Sequence, residues 1–219
     1  MDTVKRLERT VLVILIALAL AIPLSIVSAG NSVLSPDVAV TNEVQDVNTP
    51  LTGPAVELLN VLGKAPMLLA LAAGIAALLL YHGRRKDAFF AIAPVAVAQA
   101  LNFALKNLLS SPRPTVDHVA VNEYASGFGF PSGHTMTTVV FAGSLAFILL
   151  RGVSCRWQRG LILSAAALLV LAMGFSRIYV GAHWPSDVLG AYLWGTAFTA
   201  ASMLAYRVTR FGEPRHAGR

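Results

Sequence analysis

The chain has 219 residues, 56% of them hydrophobic and 13% charged, about half the charge of a soluble globular domain. Charge is excluded where a surface faces lipid, so the deficit excludes an ordinary soluble protein. The formal net charge of +6 would suit nucleic acid, but the basic residues sit in short clusters between apolar segments, so membrane topology explains them and no nucleic-acid partner is expected. Cys155 is the single cysteine, which rules out an intrachain disulfide and a thiolate metal cluster.

Six segments free of Asp, Glu, Lys and Arg follow in order, over 11–29, 65–81, 88–105, 135–150, 161–175 and 188–206. Each is long enough to cross, or nearly cross, a hydrocarbon core, the fourth and fifth borrowing residues from their flanks. The expected fold is therefore all-α, a six-span helical bundle forming one membrane domain over 1–219. Lys5, Arg6 and Arg9 followed by an apolar run ending Val27-Ser28-Ala29 resemble a cleavable signal. The run is longer than the usual core of about 7–15 residues, so a retained span is expected.

Between the first two spans, Ser35-Pro36-Asp37 has the form of a helix start, with a cap followed by proline. Val40, Val44 and Val47 recur at helical spacing, Pro50 interrupts, and Val56, Leu59 and Leu62 resume the stripe. One or two amphipathic helices covering the outer end of the bundle are expected there.

With the N-terminus inside, the inner face receives Lys5, Arg6, Arg9, Arg84, Arg85, Lys86, Arg151, Arg156, Arg159, Arg207, Arg210, Arg215 and Arg219. The outer face receives Lys64, Lys106, Arg113 and Arg177. Thirteen against four obeys the positive-inside rule and places both termini in the cytoplasm. Lys106, Arg113 and Arg177 flank span ends, where a bound anion would give outer cations a purpose.

Two outer segments carry the chemistry. One holds Lys106, Arg113-Pro114 and Pro131-Ser132-Gly133-His134; the other holds Ser176-Arg177, His183 and Asp187. The 41 residues from 135 to 175 fit two short spans and a turn, which return the chain to the same face. Lys106, Arg113 and Arg177 can hold a tetrahedral anion, arginine through its planar fork. Ser132 and Gly133 open a helix whose N–H groups form a ready anion site. Asp187, four residues after His183, can fix the imidazole tautomer and free the other ring nitrogen to attack phosphorus. His134 is placed to protonate the leaving alcohol. No metal-ligand set is visible, and no cofactor is expected.

Lys-x6-Arg-Pro, Pro-Ser-Gly-His and Ser-Arg-x5-His-x3-Asp together resemble the signature of the type 2 phosphatidic acid phosphatase superfamily, with all eleven positions from Lys106 to Asp187 intact. The resemblance extends to the six-span layout of its membrane branch. It implies a metal-independent phosphohistidine route and a lipid phosphate or diphosphate substrate: a polyprenyl diphosphate, phosphatidylglycerophosphate or phosphatidic acid. Two other classes stay open. A phosphotransferase would pass the phosphoryl group from His183 to an acceptor, and a transporter would place its ionisable residues at mid-membrane rather than at the surface.

Remaining features have plainer readings. His82, His118 and His216 are expected as interfacial polar residues, with His118 in the active loop. Gln99 and Asn102 suit interhelical hydrogen bonds, and Ala191, Gly195 and Thr199 suit close helix packing. Trp157, Trp184, Tyr81, Tyr179 and Tyr206 lie near span ends, as an aromatic belt would. Glu123 reads as a solvated loop carboxylate, and Gly127-Phe128-Gly129-Phe130 as a gate or a flexible loop.

Overall fold

The computed structural model describes residues 2–30, 33–47 and 49–209. Among them the backbone forms eight α-helices and no strand. In chain order these are α1 (Asp2–Ser28), α2 (Ser35–Gln45), α3 (Thr52–Leu62), α4 (Ala65–Tyr81), α5 (Arg85–Leu109), α6 (Gly133–Leu150), α7 (Arg156–Tyr179) and α8 (Pro185–Val208). By length and composition α1, α5, α6, α7 and α8 can each cross a membrane, and α3 with α4 make a sixth candidate if their 67° bend joins one span. The side chain of Arg6, together with Arg210, Arg215, His216 and Arg219, lies outside the described residues.

α6 and α8 form the centre. Gly195 of α8 lies so close to α6 that a Cβ there would stand 2.9 Å from Cβ of Val139, while Thr199 fills the space beside Gly143. This is the close approach expected of the small residues at 191, 195 and 199, and Ala191 is fully buried. Gln99 of α5 donates to Thr137 Oγ1 on α6 at 2.6 Å, one of the expected interhelical bonds. α1 lies along α8 through Ala17, Ala21 and Ser25, a stripe of small buried residues, and Trp194 Nε1 donates to Ser25 Oγ at 3.1 Å. The rest of α1 turns Leu12, Leu15, Ile16 and Leu20 outward. Only an apolar solvent makes that stable, because in water the same face would demand a partner.

α7 extends beyond 161–175 into its flanks, taking in Arg156 at its start and Arg177 in its last turn. Two expectations need correction. Ser35 does not cap α2; the N-cap is Leu34, without a side-chain bond, and Pro36 sits in the first turn. On α2 and just beyond it Val40 and Val47 are exposed, whereas Asp37 and Thr41 are buried. The reason is that α2 covers polar backbone at the end of the bundle, so polar atoms gain more there than valine methyls would. Finally, Trp184 and Tyr206 are buried at 3% and 6% exposure, so neither can join an aromatic belt, although Tyr81 and Trp157 are well exposed.

Candidate active site

Two loops and the starts or ends of four helices converge at one end of the bundle. α5 delivers Lys106 in its last turn, α6 begins at Gly133, α7 ends just beyond Arg177 and α8 begins two residues after His183. The backbone N–H of Ser132 donates to the Asp187 carbonyl at 3.1 Å, tying the start of α6 to the start of α8. Segments 55 residues apart in sequence are thereby joined at the site.

His183 is 3% exposed. Its Nδ1 lies 3.2 Å from Asp187 Oδ2, and the same oxygen accepts the Trp184 N–H at 3.1 Å. Asp187 is fully buried, so its carboxylate fixes a proton on Nδ1 and leaves Nε2 with a free lone pair. That lone pair accepts an N–H from Arg113 Nη1 at 3.1 Å. The His183 pKa lies well below the ordinary histidine value, first because burial disfavours the charged ring and then because Arg113, Lys106 and Arg177 are nearby.

The cations are held by backbone carbonyls. Lys106 Nζ donates to Phe128 O at 2.6 Å and to Gly129 O at 2.8 Å. Arg113 donates to Gly127 O at 3.0 Å, Ser126 O at 3.3 Å and Ala182 O at 2.8 Å. Segment 126–129 is thus strapped across the site by its own oxygens. A Cβ on Gly129 would stand 2.8 Å from Asp187 Oδ2, and Phe130 is fully buried. Of the Gly-Phe-Gly-Phe run, Gly129 and Phe130 are packed into the site, while Gly127 and Phe128 stay exposed.

At the start of α6, the Ser132 N–H is taken by Asp187 O, so it is not available to an anion. The N–H groups of Gly133, His134 and Thr135 begin the helix and have no intrahelical partner. His134 Nε2 is buried and unpaired, and His134 is near enough to His183 to influence its charge. The bend between α3 and α4 lies over it: a Cβ on Gly63 would stand 2.9 Å from His134 Cδ2. Asn102 braces the same segment, donating to Pro131 O at 3.2 Å.

Arg177 is 1% exposed. Its fork meets Glu123 through two bonds of 3.2 and 3.3 Å, and Asn60 of α3 donates to Glu123 Oε2 at 3.0 Å. Glu123, half-buried, is therefore a partner of the site. His118 is exposed, with its ring 6.4 Å from that of Trp184. Among the described residues no group of three or more His, Cys, Asp or Glu side chains forms a metal-ligand set. The larger cavities, about 380 Å³ among α1, α6, α7 and α8, about 270 Å³ between α6 and α7 and about 260 Å³ between α5 and α8, are apolar, and none is lined by His183.

The family profile described as the PAP2 superfamily matches residues 87–210. The chain belongs to the PAP2 superfamily. Phosphatidylglycerophosphatase B of Bacillus subtilis is 25% identical over 166 residues, covering 75% of this chain and 80% of that protein. The undecaprenyl-diphosphatase of Sulfolobus acidocaldarius is 32% identical over 102 residues, covering 47% and 40%. A crystal structure of a transmembrane PAP2-type phosphatidylglycerolphosphate phosphatase from Bacillus subtilis superposes with a TM-score of 0.80 at 23% identity, over 91% of this chain and 98% of that one. The chain spans about half the length, or less, of most of the curated relatives it matches.

Spanning helices and membership of this family make the protein a multi-pass membrane protein. The PAP2 region begins at α5, so α1 to α4 stand outside the family match. Contacts from those outlying helices reach the PAP2 site, among them Asn60 on Glu123 and the α3–α4 bend on His134. Sequence reasoning missed Glu123 and Asn60. Neither stands in the motifs, and only a search for a carboxylate able to balance a buried Arg177 would have raised Glu123.

Proposed function

We propose that this PAP2 protein is a six-span phosphatase that hydrolyses a lipid phosphomonoester or diphosphate, with His183 as nucleophile. The observation that carries this reading is the buried His183–Asp187 pair at 3.2 Å, whose second ring nitrogen faces the Arg113 guanidinium. In the first step Nε2 attacks phosphorus and the bond from phosphorus to the lipid oxygen breaks. The His134 ring gives that oxygen its proton. In the second step water attacks the phosphohistidine, His134 takes the water proton, and orthophosphate leaves with the N–P bond broken. Lys106, Arg113, Arg177 and the N–H groups from Gly133 onward neutralise the equatorial oxygens. Ser132 acts as a structural partner of Asp187 through its N–H, with its hydroxyl left to the phosphate or to Thr135, which donates to it at 3.1 Å.

Arg113 Nη1 lies 3.1 Å from His183 Nε2. A phosphate attacked by Nε2 stands within reach of this guanidinium, so the cation that meets its oxygens lies beside the attacking atom. The substrate class follows from the relatives, which are named for phosphatidylglycerophosphate and undecaprenyl diphosphate. A polyprenyl diphosphate carrier is the narrower proposal.

The extracytoplasmic orientation is supported by charge. Arg84, Lys86, Arg151 and Arg207 gather around Tyr206 and Phe147 at the end remote from His183, and the positive-inside rule assigns that end to the cytoplasm. α2 and α3 then lie on the outer surface, with Val40 and Val47 toward the interface.

The deciding experiment is phosphate release by the purified chain from a panel of phosphatidic acid, phosphatidylglycerophosphate and a polyprenyl diphosphate, with and without EDTA. At least one lipid should be turned over without added acceptor, EDTA should leave the rate intact, and His183→Ala should lower it by at least about 10³-fold. Substantial turnover by His183→Ala would refute the nucleophilic role.

A further inference from the structure

Asp37 is buried, carries a carboxylate and belongs to none of the motifs. Both of its oxygens are used by one residue: Ser186 donates its N–H to Oδ1 at 2.9 Å and its hydroxyl to Oδ2 at 2.7 Å. Ser186 stands beside Asp187 in the first turn of α8. Two turns further along α2, Gln45 spans the other arm of the site. Its Oε1 accepts the Ala120 N–H at 3.1 Å, and its Nε2 donates to Ala120 O at 2.7 Å and to Tyr179 O at 3.2 Å. Beyond Ala120 the N–H groups of Asn122 and Glu123 both donate to Val180 O, so this arm carries Glu123 and, through it, the Arg177 fork.

We infer that α2 is a positioning element of the active site, with Asp37 as its principal positioning residue and Gln45 as its second anchor. The inference rests on the proposed roles of His183 and Asp187. An isolated buried carboxylate adds little to stability and is costly unless its hydrogen bonds are complete. Here they are complete, and their target is informative. The first N–H groups of a helix lack intrahelical partners and attract carboxylates. At α8 two carboxylates divide them: Asp187 takes the Trp184 N–H, and Asp37 takes the Ser186 N–H and hydroxyl. Asp187 Oδ1 is buried and unpaired. Without Asp37, the Ser186 donors would be free to compete for the Asp187 carboxylate. Asp187 would then be drawn from the His183 Nδ1 proton, and the attacking nitrogen would lose its orientation. Asp37 acts by keeping Ser186 away from Asp187.

The test uses the full chain in detergent and the panel lipid that it turns over fastest. Asp37→Ala should lower kcat by about 10- to 100-fold, as small misplacements of reacting groups do, with KM within about threefold. Asp37→Asn retains an oxygen for the Ser186 N–H and an amide facing the hydroxyl, and should recover most of the lost rate. Ser186→Ala removes one competing donor but leaves the backbone bond to Asp37 intact, so it should stay within about threefold of wild type, and it should restore part of the rate when added to Asp37→Ala. A structural role alone would show as a lower melting temperature with unchanged kcat per folded molecule. That result overturns the inference, as does an Asp37→Ala loss that Ser186→Ala fails to relieve. If Asp37→Ala cannot be purified, Asp37→Leu in the Ser186→Ala background carries the test, and kcat below about one hundredth of wild type in that folded variant overturns it. His183→Ala separates the two levels: its inactivity beside a fully active Asp37→Ala sinks only the positioning role, whereas activity of His183→Ala sinks the reading beneath it.

Discussion

Burial and three neighbouring cations depress the His183 pKa well below its ordinary value, and the direction of that shift sets a pH dependence. A nucleophilic imidazole must be unprotonated, and a lowered pKa keeps it so to more acidic pH. The acid limb of kcat/KM is therefore expected below the ordinary histidine value of about 6.5, in a pH–rate profile taken with one panel lipid. A limb at or above that value would contradict the environment described for His183. Gly129 offers a second test at the same scale. Its missing side chain is the space that Asp187 Oδ2 and the Pro112 carbonyl require, at 2.8 and 3.1 Å from a Cβ. Gly129→Ala should lower kcat by about 10- to 100-fold by displacing Asp187, and a variant with wild-type kcat would show that the strap yields freely. Both residues were visible in the sequence, His183 within a motif and Gly129 only as part of a loop. Nothing in one dimension places Gly129 against Asp187, because the distance arises from two segments meeting.

At the scale of elements, α5, α6 and α8 are fastened at the end away from the site by one carboxylate. Asp87 accepts Tyr206 Oη at 2.5 Å and Arg84 Nε at 2.8 Å, with Arg151 Nε 3.9 Å away. Arg151 and Lys86 also lie over the Tyr206 ring, at 4.7 and 4.3 Å. Along the sequence this stretch is only a basic cluster between apolar segments; Asp87 lies in the first turn of α5, where it becomes a hub because its neighbours arrive from helices distant in sequence. Asp87→Ala leaves a buried hydroxyl without its acceptor, at a cost of about 1–3 kcal/mol. Thermal unfolding in detergent should shift down by several degrees, while phosphate release per folded molecule stays at the wild-type rate. A large loss of rate at full stability would mean that this end is coupled to the site.

For the whole molecule the proposed orientation is open to a chemical test. Cys155 is the single cysteine, it is exposed, and it caps α7 at the end remote from His183. A membrane-impermeant maleimide should label it in permeabilised cells or inverted vesicles and leave it unlabelled in intact cells. In a Cys155→Ser background, a cysteine replacing the exposed Asp117 should show the reverse pattern. Labelling of Cys155 from outside would invert the topology and move the site to the cytoplasmic face.

The sequence alone determined the helical class, the family and the eleven motif residues. These follow from local composition and fixed spacing: apolar runs of bilayer length, cations at their ends, and identities that one chemistry requires. Tertiary structure decided the rest. It buried Asp37 and Thr41 of α2, paired Glu123 with Arg177, took the Ser132 N–H for the Asp187 carbonyl, and buried Trp184 and Tyr206. Each of those outcomes depends on which backbone donors and acceptors were left unsatisfied where helices and loops met. That demand exists only once the chain has folded, so no pattern along the sequence could announce it.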